Sequence, residues 1–268
     1  MLFVRSILAA ALDVEALLLP IACLGCERAS NGARTHGRTD APVLCEECRL
    51  SLRTIAPPRC RRCGQTLDDW AVRRYGGKAV EESAERLPGC GFCRPWPDAL
   101  AFAASAVWYE DGPAKRLVQA LKYGGWPVAA GPMAAVMLRE LGATLRAAEL
   151  LVPVPLGRQR ARERGHNQAE VLARAIAERS GLTVAAQALV RTRETRTQTA
   201  LDPAQRRENV AGAFRGSGAA GRVSGKRVVL VDDVLTTGAT LAAAAEALAA
   251  AGATEVGAIT FARAPKPE

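Results

Sequence analysis

The chain has 268 residues, a net charge of +9 and close to half of its residues apolar, which is long for one domain, comfortable for two and sufficient for a real core. Only 4% of the residues are aromatic, which argues against a β-sandwich and for alanine-rich helices packed on a parallel sheet. The charge is concentrated: residues 151–215 hold twelve arginines against six acids, so the expected partner is anionic, a phosphorylated small molecule, nucleic acid or acidic lipid.

Residues 1–22 are apolar but interrupted by Arg5, Asp13 and Glu15. A membrane-spanning helix wants about 20 nearly uncharged residues, and a signal peptide wants a secreted domain behind it. The segment therefore reads as an amphipathic helix over residues 2–19 of a cytoplasmic protein, with contact with a membrane surface left open.

Residues 23–94 form a cysteine-rich region. All eight cysteines fall in CxxC pairs, Cys23/Cys26, Cys45/Cys48, Cys60/Cys63 and Cys90/Cys93. Two residues between thiolates let both sulfurs reach one tetrahedral ion from a tight turn, and two such turns complete a four-sulfur site. The simplest assignment is sequential: Cys23, Cys26, Cys45 and Cys48 hold one structural zinc, and Cys60, Cys63, Cys90 and Cys93 hold a second. An interleaved arrangement is also open. The region is expected to fold around its own core, separate from that of the C-terminal domain.

After a junction at residues 94–98, the chain from 99 to 268 alternates apolar strands with helices, the pattern of a parallel α/β domain. Strands are predicted at 101–109, 150–154, 226–231 and 256–261, and helices at 113–121, 132–141, 168–180 and 239–251. Residues 191–214 are polar and arginine-rich without clear periodicity and read as a long loop covering a site.

The decisive segment is Val228-Val229-Leu230-Val231-Asp232-Asp233-Val234-Leu235-Thr236-Thr237-Gly238-Ala239-Thr240. Four apolar residues make a buried central strand. Two carboxylates stand at its carboxyl end, where open α/β sheets bind ligands. A short loop of small hydroxylated residues then enters a helix, which suits a phosphate. Carboxylates beside a phosphate need a further purpose. The vicinal hydroxyls of a ribose 5-phosphate, or Mg²⁺ carried by a pyrophosphate, supply one.

This segment resembles the signature of type I phosphoribosyltransferases. The resemblance implies that Asp232 and Asp233 face ribose hydroxyls and offset charge at the sugar, and that Val234 and Leu235 lead into a 5-phosphate loop of Thr236, Thr237, Gly238, Ala239 and Thr240. It also implies that Pro155, Leu156, Gly157 and Arg158 hold pyrophosphate through their backbone. Together with Leu121-Lys122-Tyr123-Gly124-Gly125, Arg164-Gly165-His166-Asn167-Gln168-Ala169, the arginine-rich centre and the cysteine knuckles, the chain looks like the ComF family. That family joins a double zinc ribbon to a phosphoribosyltransferase-like domain and is associated with DNA uptake in natural competence. His166 stands where an aromatic residue is expected and reads as a packing or capping residue.

Three functional readings are open. The first is a phosphoribosyltransferase that takes phosphoribosyl pyrophosphate with Mg²⁺ and an acceptor that the sequence does not identify, alongside other DNA-uptake proteins. The others are a non-catalytic sugar-phosphate sensor and a single-stranded-DNA-binding protein on the same fold. The scarcity of aromatic residues speaks against base stacking. Trp70, Tyr75, Phe92, Trp96 and Trp126 are the candidates, and each is more simply a small-core residue.

Overall fold

A computed structural model describes residues 22–28, 44–67, 90–123, 126–194 and 203–265. The expected N-terminal helix lies outside these residues. The described elements are α1 (Glu46–Leu50), β1 (Phe102–Trp108), α2 (Pro113–Tyr123), α3 (Ala130–Leu141), β2 (Leu150–Pro153), α4 (Arg158–Arg164), α5 (Gln168–Ser180), β3 (Thr183–Val184), β4 (Leu189–Arg191), α6 (Pro203–Val210), β5 (Phe214–Gly216), β6 (Arg227–Leu235), α7 (Ala239–Ala250) and β7 (Glu255–Arg263).

Five strands form one sheet in the order β1-β7-β6-β2-β3, and every neighbouring pair is parallel. Strand β6 is central, and its side chains alternate between two apolar layers as a strand's must. Val229 and Val231 pack with Leu117, Met133 and Ile176 from α2, α3 and α5. Val228 and Leu230 pack on the other side with Leu241, Ala245 and Leu248 of α7. Covered on both faces, β6 tolerates an unbroken apolar run. The small β4–β5 hairpin is antiparallel.

Among the described residues, the cysteine-rich region shares its apolar layers with the sheet. Cys23, Leu44, Cys48 and Leu52 join the first apolar layer. Cys60, Cys63, Cys93 and Trp96 join the second. The expectation of separate cores is therefore corrected: residues from both sides of the junction bury the same sheet.

Candidate functional site

The site grows from the end of β6. The strand does not stop at Val231, as the apolar pattern suggests, but runs through both acids to Leu235. Its neighbour β7 keeps the ladder going, pairing Asp232 with Thr260 and Val234 with Ala262. The two carboxylates are thus fixed on a strand rather than placed at a solvated strand end. Asp233 is only 3% exposed, and Lys122 of α2 meets its Oδ1 at 2.8 Å. The Asp233 backbone N–H donates to Asp232 Oδ1 at 2.8 Å. Burial and the adjacent Asp233 charge push the Asp232 carboxyl up to about 7, against the opposing pull of Lys122 and the backbone N–H. Burial pulls the Lys122 ammonium down, but the Asp233 carboxylate outweighs it and the net direction is up. Asp233 Oδ2 is buried and meets no donor among the described residues. A carboxylate oxygen in that state calls for a hydrogen-bond donor.

The loop after β6 turns at Gly238, whose φ of +80° begins α7 without a side-chain cap. The Ala239 N–H donates to Thr237 Oγ1 at 3.4 Å, and the start of α7 borders a cavity of about 460 Å³. Asp232, Asp233, Val234, Leu235, Thr236, Gly238 and Thr240 line that cavity, as do Pro155 and Leu156. Thr237 and Ala239 instead line a neighbouring hollow of about 280 Å³. Gly157 is buried as the N-cap of α4, and the Arg158 side chain is exposed rather than in the cavity. The expected pyrophosphate loop also meets a carboxylate of the chain itself: Gln159 N–H donates to Glu194 Oε1 at 3.2 Å.

The cavity's basic wall consists of residues that sequence reasoning does not single out as site residues: Lys122, Arg160, Arg164 and Arg191. Burial, and then the nearby Arg160 charge, hold the Arg191 guanidinium below its ordinary value. The available signal is spacing: Arg160 and Arg164 sit four apart, on one face of α4. His166 takes the capping position expected for it. Its Nε2 lies 2.8 Å from the Leu121 carbonyl and its Nδ1 3.0 Å from that of Arg164, in the closing turns of α2 and α4. Of the aromatic candidates, Trp96 is buried, whereas Trp126 is 53% exposed and no core residue; Trp70 and Tyr75 lie outside the described residues.

The cysteines gather sequentially into two groups of four, each with all sulfurs within 4.8 Å of one another. Cys26 and Cys45 approach to 3.8 Å, Cys60 and Cys93 to 3.9 Å, and Cys90 and Cys93 to 3.6 Å. A tetrahedral zinc with Zn–S of about 2.3 Å places its sulfurs roughly 3.8 Å apart, so both groups fit zinc. The crowding drives the thiols apart in acidity. Cys63 is pushed far up, chiefly by its sulfur neighbours, while Cys60 is pulled down by the same contacts. A dication at the centre would hold all four as thiolates. Elemental analysis of protein purified under reducing conditions should return about two zinc ions per chain. No zinc, or cysteines found in disulfides, would rule this out.

The parallel α/β sheet with a small-residue loop leaving its central strand suits a phosphoribosyl transferase-type domain. The model of the family described as "Phosphoribosyl transferase domain" matches residues 127–268. Over a longer span the chain is 30% identical across 231 residues to the "DNA utilization protein YhgH" of Salmonella typhimurium, covering 80% of this chain and 94% of that protein. It is 26% identical across 217 residues to "Competence protein F" of Haemophilus influenzae, covering 79% and 93%. The chain belongs to the ComF family of phosphoribosyl transferase-domain proteins. A solved structure described as the allosteric regulatory enzyme of purine biosynthesis is 25% identical with a TM-score of 0.33, over 49% of this chain and 26% of that one. Among the described residues, no helix is long and apolar enough to cross a membrane.

Proposed function

We propose that the cavity binds phosphoribosyl pyrophosphate and that the protein transfers its ribose 5-phosphate to an acceptor, in the DNA-utilisation and competence setting that its relatives' names describe. The observation that carries this reading is that one cavity brings Asp232, Asp233, Thr236, Gly238 and Thr240 together with Lys122, Arg160, Arg164 and Arg191. Vicinal sugar hydroxyls suit the acids, and a 5-phosphate suits the helix start. In this reading Asp232 and Asp233 hold the ribose, Thr236, Gly238 and Thr240 hold the phosphate, and Arg160, Arg164 and Arg191 face the pyrophosphate.

The bond from C1 to pyrophosphate breaks as the acceptor's lone pair forms the new bond, and the electron pair leaves with pyrophosphate. The basic wall stabilises the growing charge on the leaving group, and the ionised acids offset positive charge on the ring. The two carboxylates are hard oxygen donors suited to Mg²⁺, which when bound would neutralise pyrophosphate charge.

The protonation state of Asp232 makes this testable. A protonated carboxyl is a poorer acceptor, so affinity for phosphoribosyl pyrophosphate with Mg²⁺ should rise as pH climbs through about 7 and level off above it. The ligand titrates too, so calorimetry on Asp232→Asn serves as the reference. Identical pH slopes for the two proteins would refute the role of Asp232.

A second reading rests on a different surface. Arg158 and Arg162 are exposed, and such a row can bind single-stranded DNA through its phosphates. Adding single-stranded DNA to the same titration separates the two. DNA that leaves the sugar-phosphate affinity unchanged occupies the outer arginines, whereas competition places it in the cavity.

A further inference from the structure

The loop between β6 and α7 is held by a residue far from it in sequence, Trp96. The Trp96 indole Nε1–H donates to the Thr237 carbonyl at 3.0 Å, and the ring lies against Gly238. A Cβ on that glycine would stand 2.5 Å from Trp96 Cζ2 and 2.7 Å from its Nε1. Trp96 is 6% exposed.

The second four-cysteine group fixes Trp96 in turn. The Trp96 backbone N–H donates to the Cys93 carbonyl at 3.1 Å. Phe92, between Cys90 and Cys93, meets the indole edge-on with centroids 5.7 Å apart. Arg62, between Cys60 and Cys63, reaches across and donates to the carbonyls of Trp96 at 3.2 Å and Pro97 at 2.8 Å. Each knuckle of the group therefore restrains the tryptophan.

We infer that Trp96 is a positioning residue for the ribose-phosphate site, through which the second cysteine cluster sets the backbone of the 5-phosphate loop. This rests on the phosphoribosyl reading of the cavity. The restraint acts on Thr237 and Gly238, so it bears on the 5-phosphate and not on the pyrophosphate end. A loop held rigid loses less freedom when phosphate arrives, which raises affinity without any direct contact with the ligand.

Trp96→Phe tests the inference in the full-length, zinc-loaded protein. Phenylalanine keeps an aromatic ring in place but removes the donor to Thr237 together with the outer indole atoms that lie against Gly238. Calorimetry should show ribose 5-phosphate binding about 3- to 10-fold more weakly, the worth of one neutral hydrogen bond. Inorganic pyrophosphate should bind as before and the zinc content should hold. Trp96→Ala should weaken ribose 5-phosphate further, with Trp96→Phe as the partial rescue. Unchanged ribose 5-phosphate affinity in Trp96→Phe, or an equal loss for both ligands, would overturn the positioning role. Absence of ribose 5-phosphate binding by the unsubstituted protein would overturn the site reading itself, and this inference with it.

Discussion

Gly238→Val is expected to remove ribose 5-phosphate binding, with a loss of roughly a hundredfold or more. Two effects act together. Gly238 has φ +80°, a region that a β-branched residue occupies only under strain. The added Cβ would also overlap the Trp96 ring, with indole atoms at 2.5, 2.6 and 2.7 Å. The indole is walled in by Phe92 and tied to Thr237, so it has little room to yield. The loop must then leave its place at the start of α7. Calorimetry with ribose 5-phosphate, alongside a circular-dichroism check that the sheet persists, reads the effect. Wild-type affinity in Gly238→Val would show that this loop does not hold the phosphate.

Cys63→Ser is expected to destabilise the α/β sheet together with the cysteine knuckles, so that the two melt as one unit. Cys63 is fully buried, and its cluster shares an apolar layer with Val228, Leu230 and α7. The cluster also has a buried cation beside it. Arg263, the last residue of β7, has no exposed surface. It donates to the Gln65 Oε1 at 3.1 Å and to the Cys63 carbonyl at 2.5 Å, and its guanidinium lies 4.2 Å from the centre of the Phe92 ring. No carboxylate forms a salt bridge with it among the described residues. Burial holds its pKa down, and the cluster sulfurs oppose that pull. With zinc in the cluster, losing its thiolates would remove the negative charge facing this guanidinium, at a cost of about 3–5 kcal/mol, besides the metal's own contribution to folding. Thermal melts should show one transition, shifted down by roughly 10 °C or more, on the rule of about 2–4 °C per kcal/mol. A sheet that melts at its original temperature after the knuckle is lost would restore the view of two independent cores.

Much of the fold is legible in the sequence because local and tertiary preferences agree. Helix α5 has Asn167 accepting from the Ala169 N–H at its start and Gly181 in the left-handed region at its end, and it spans the predicted residues. Strands β1, β2 and β7 fall within a few residues of their apolar runs. Where the pattern and the structure part, pairing overrides composition. Asp232 and Asp233 lie in a strand because β7 offers ladder partners, though neither residue favours strands. Helix α4, RQRARER, has no apolar face to announce it and buries none of its residues. The stretch that reads as one long loop carries α6, the end of β4 and the start of β5, short elements with weak periodicity.

The site divides the same way. The acids, the threonines and Gly238 are contiguous in sequence, so their chemistry can be read together. Lys122 lies on another helix, and nothing local shows that it pairs with Asp233. Trp96 precedes the loop it holds by 141 residues, and only the packing of the cysteine knuckles on the sheet brings the two together. Arg158 falls in the expected pyrophosphate loop, but a helix starts there and turns its side chain outward, leaving Arg160 and Arg164 to face the cavity.

The most direct measurement is calorimetry of phosphoribosyl pyrophosphate with Mg²⁺ on the wild type and on Asp232→Asn/Asp233→Asn. Sequence alone suggests that solvent reaches both acids. Asp233 is instead buried against Lys122, so the double variant is compared with Asp232→Asn, which leaves that ion pair intact, and both are checked for native circular dichroism. Each hydrogen bond lost from a charged acceptor is worth about 1.5–3 kcal/mol, and about 1.4 kcal/mol is tenfold. The double variant should therefore bind roughly a hundredfold or more weakly, and Asp232→Asn about tenfold or more. Inorganic phosphate should bind the folded variants at least as well as the wild type, because negative charge has been removed beside it. A folded double variant that binds phosphoribosyl pyrophosphate as the wild type does would contradict the account, and place the ligand elsewhere.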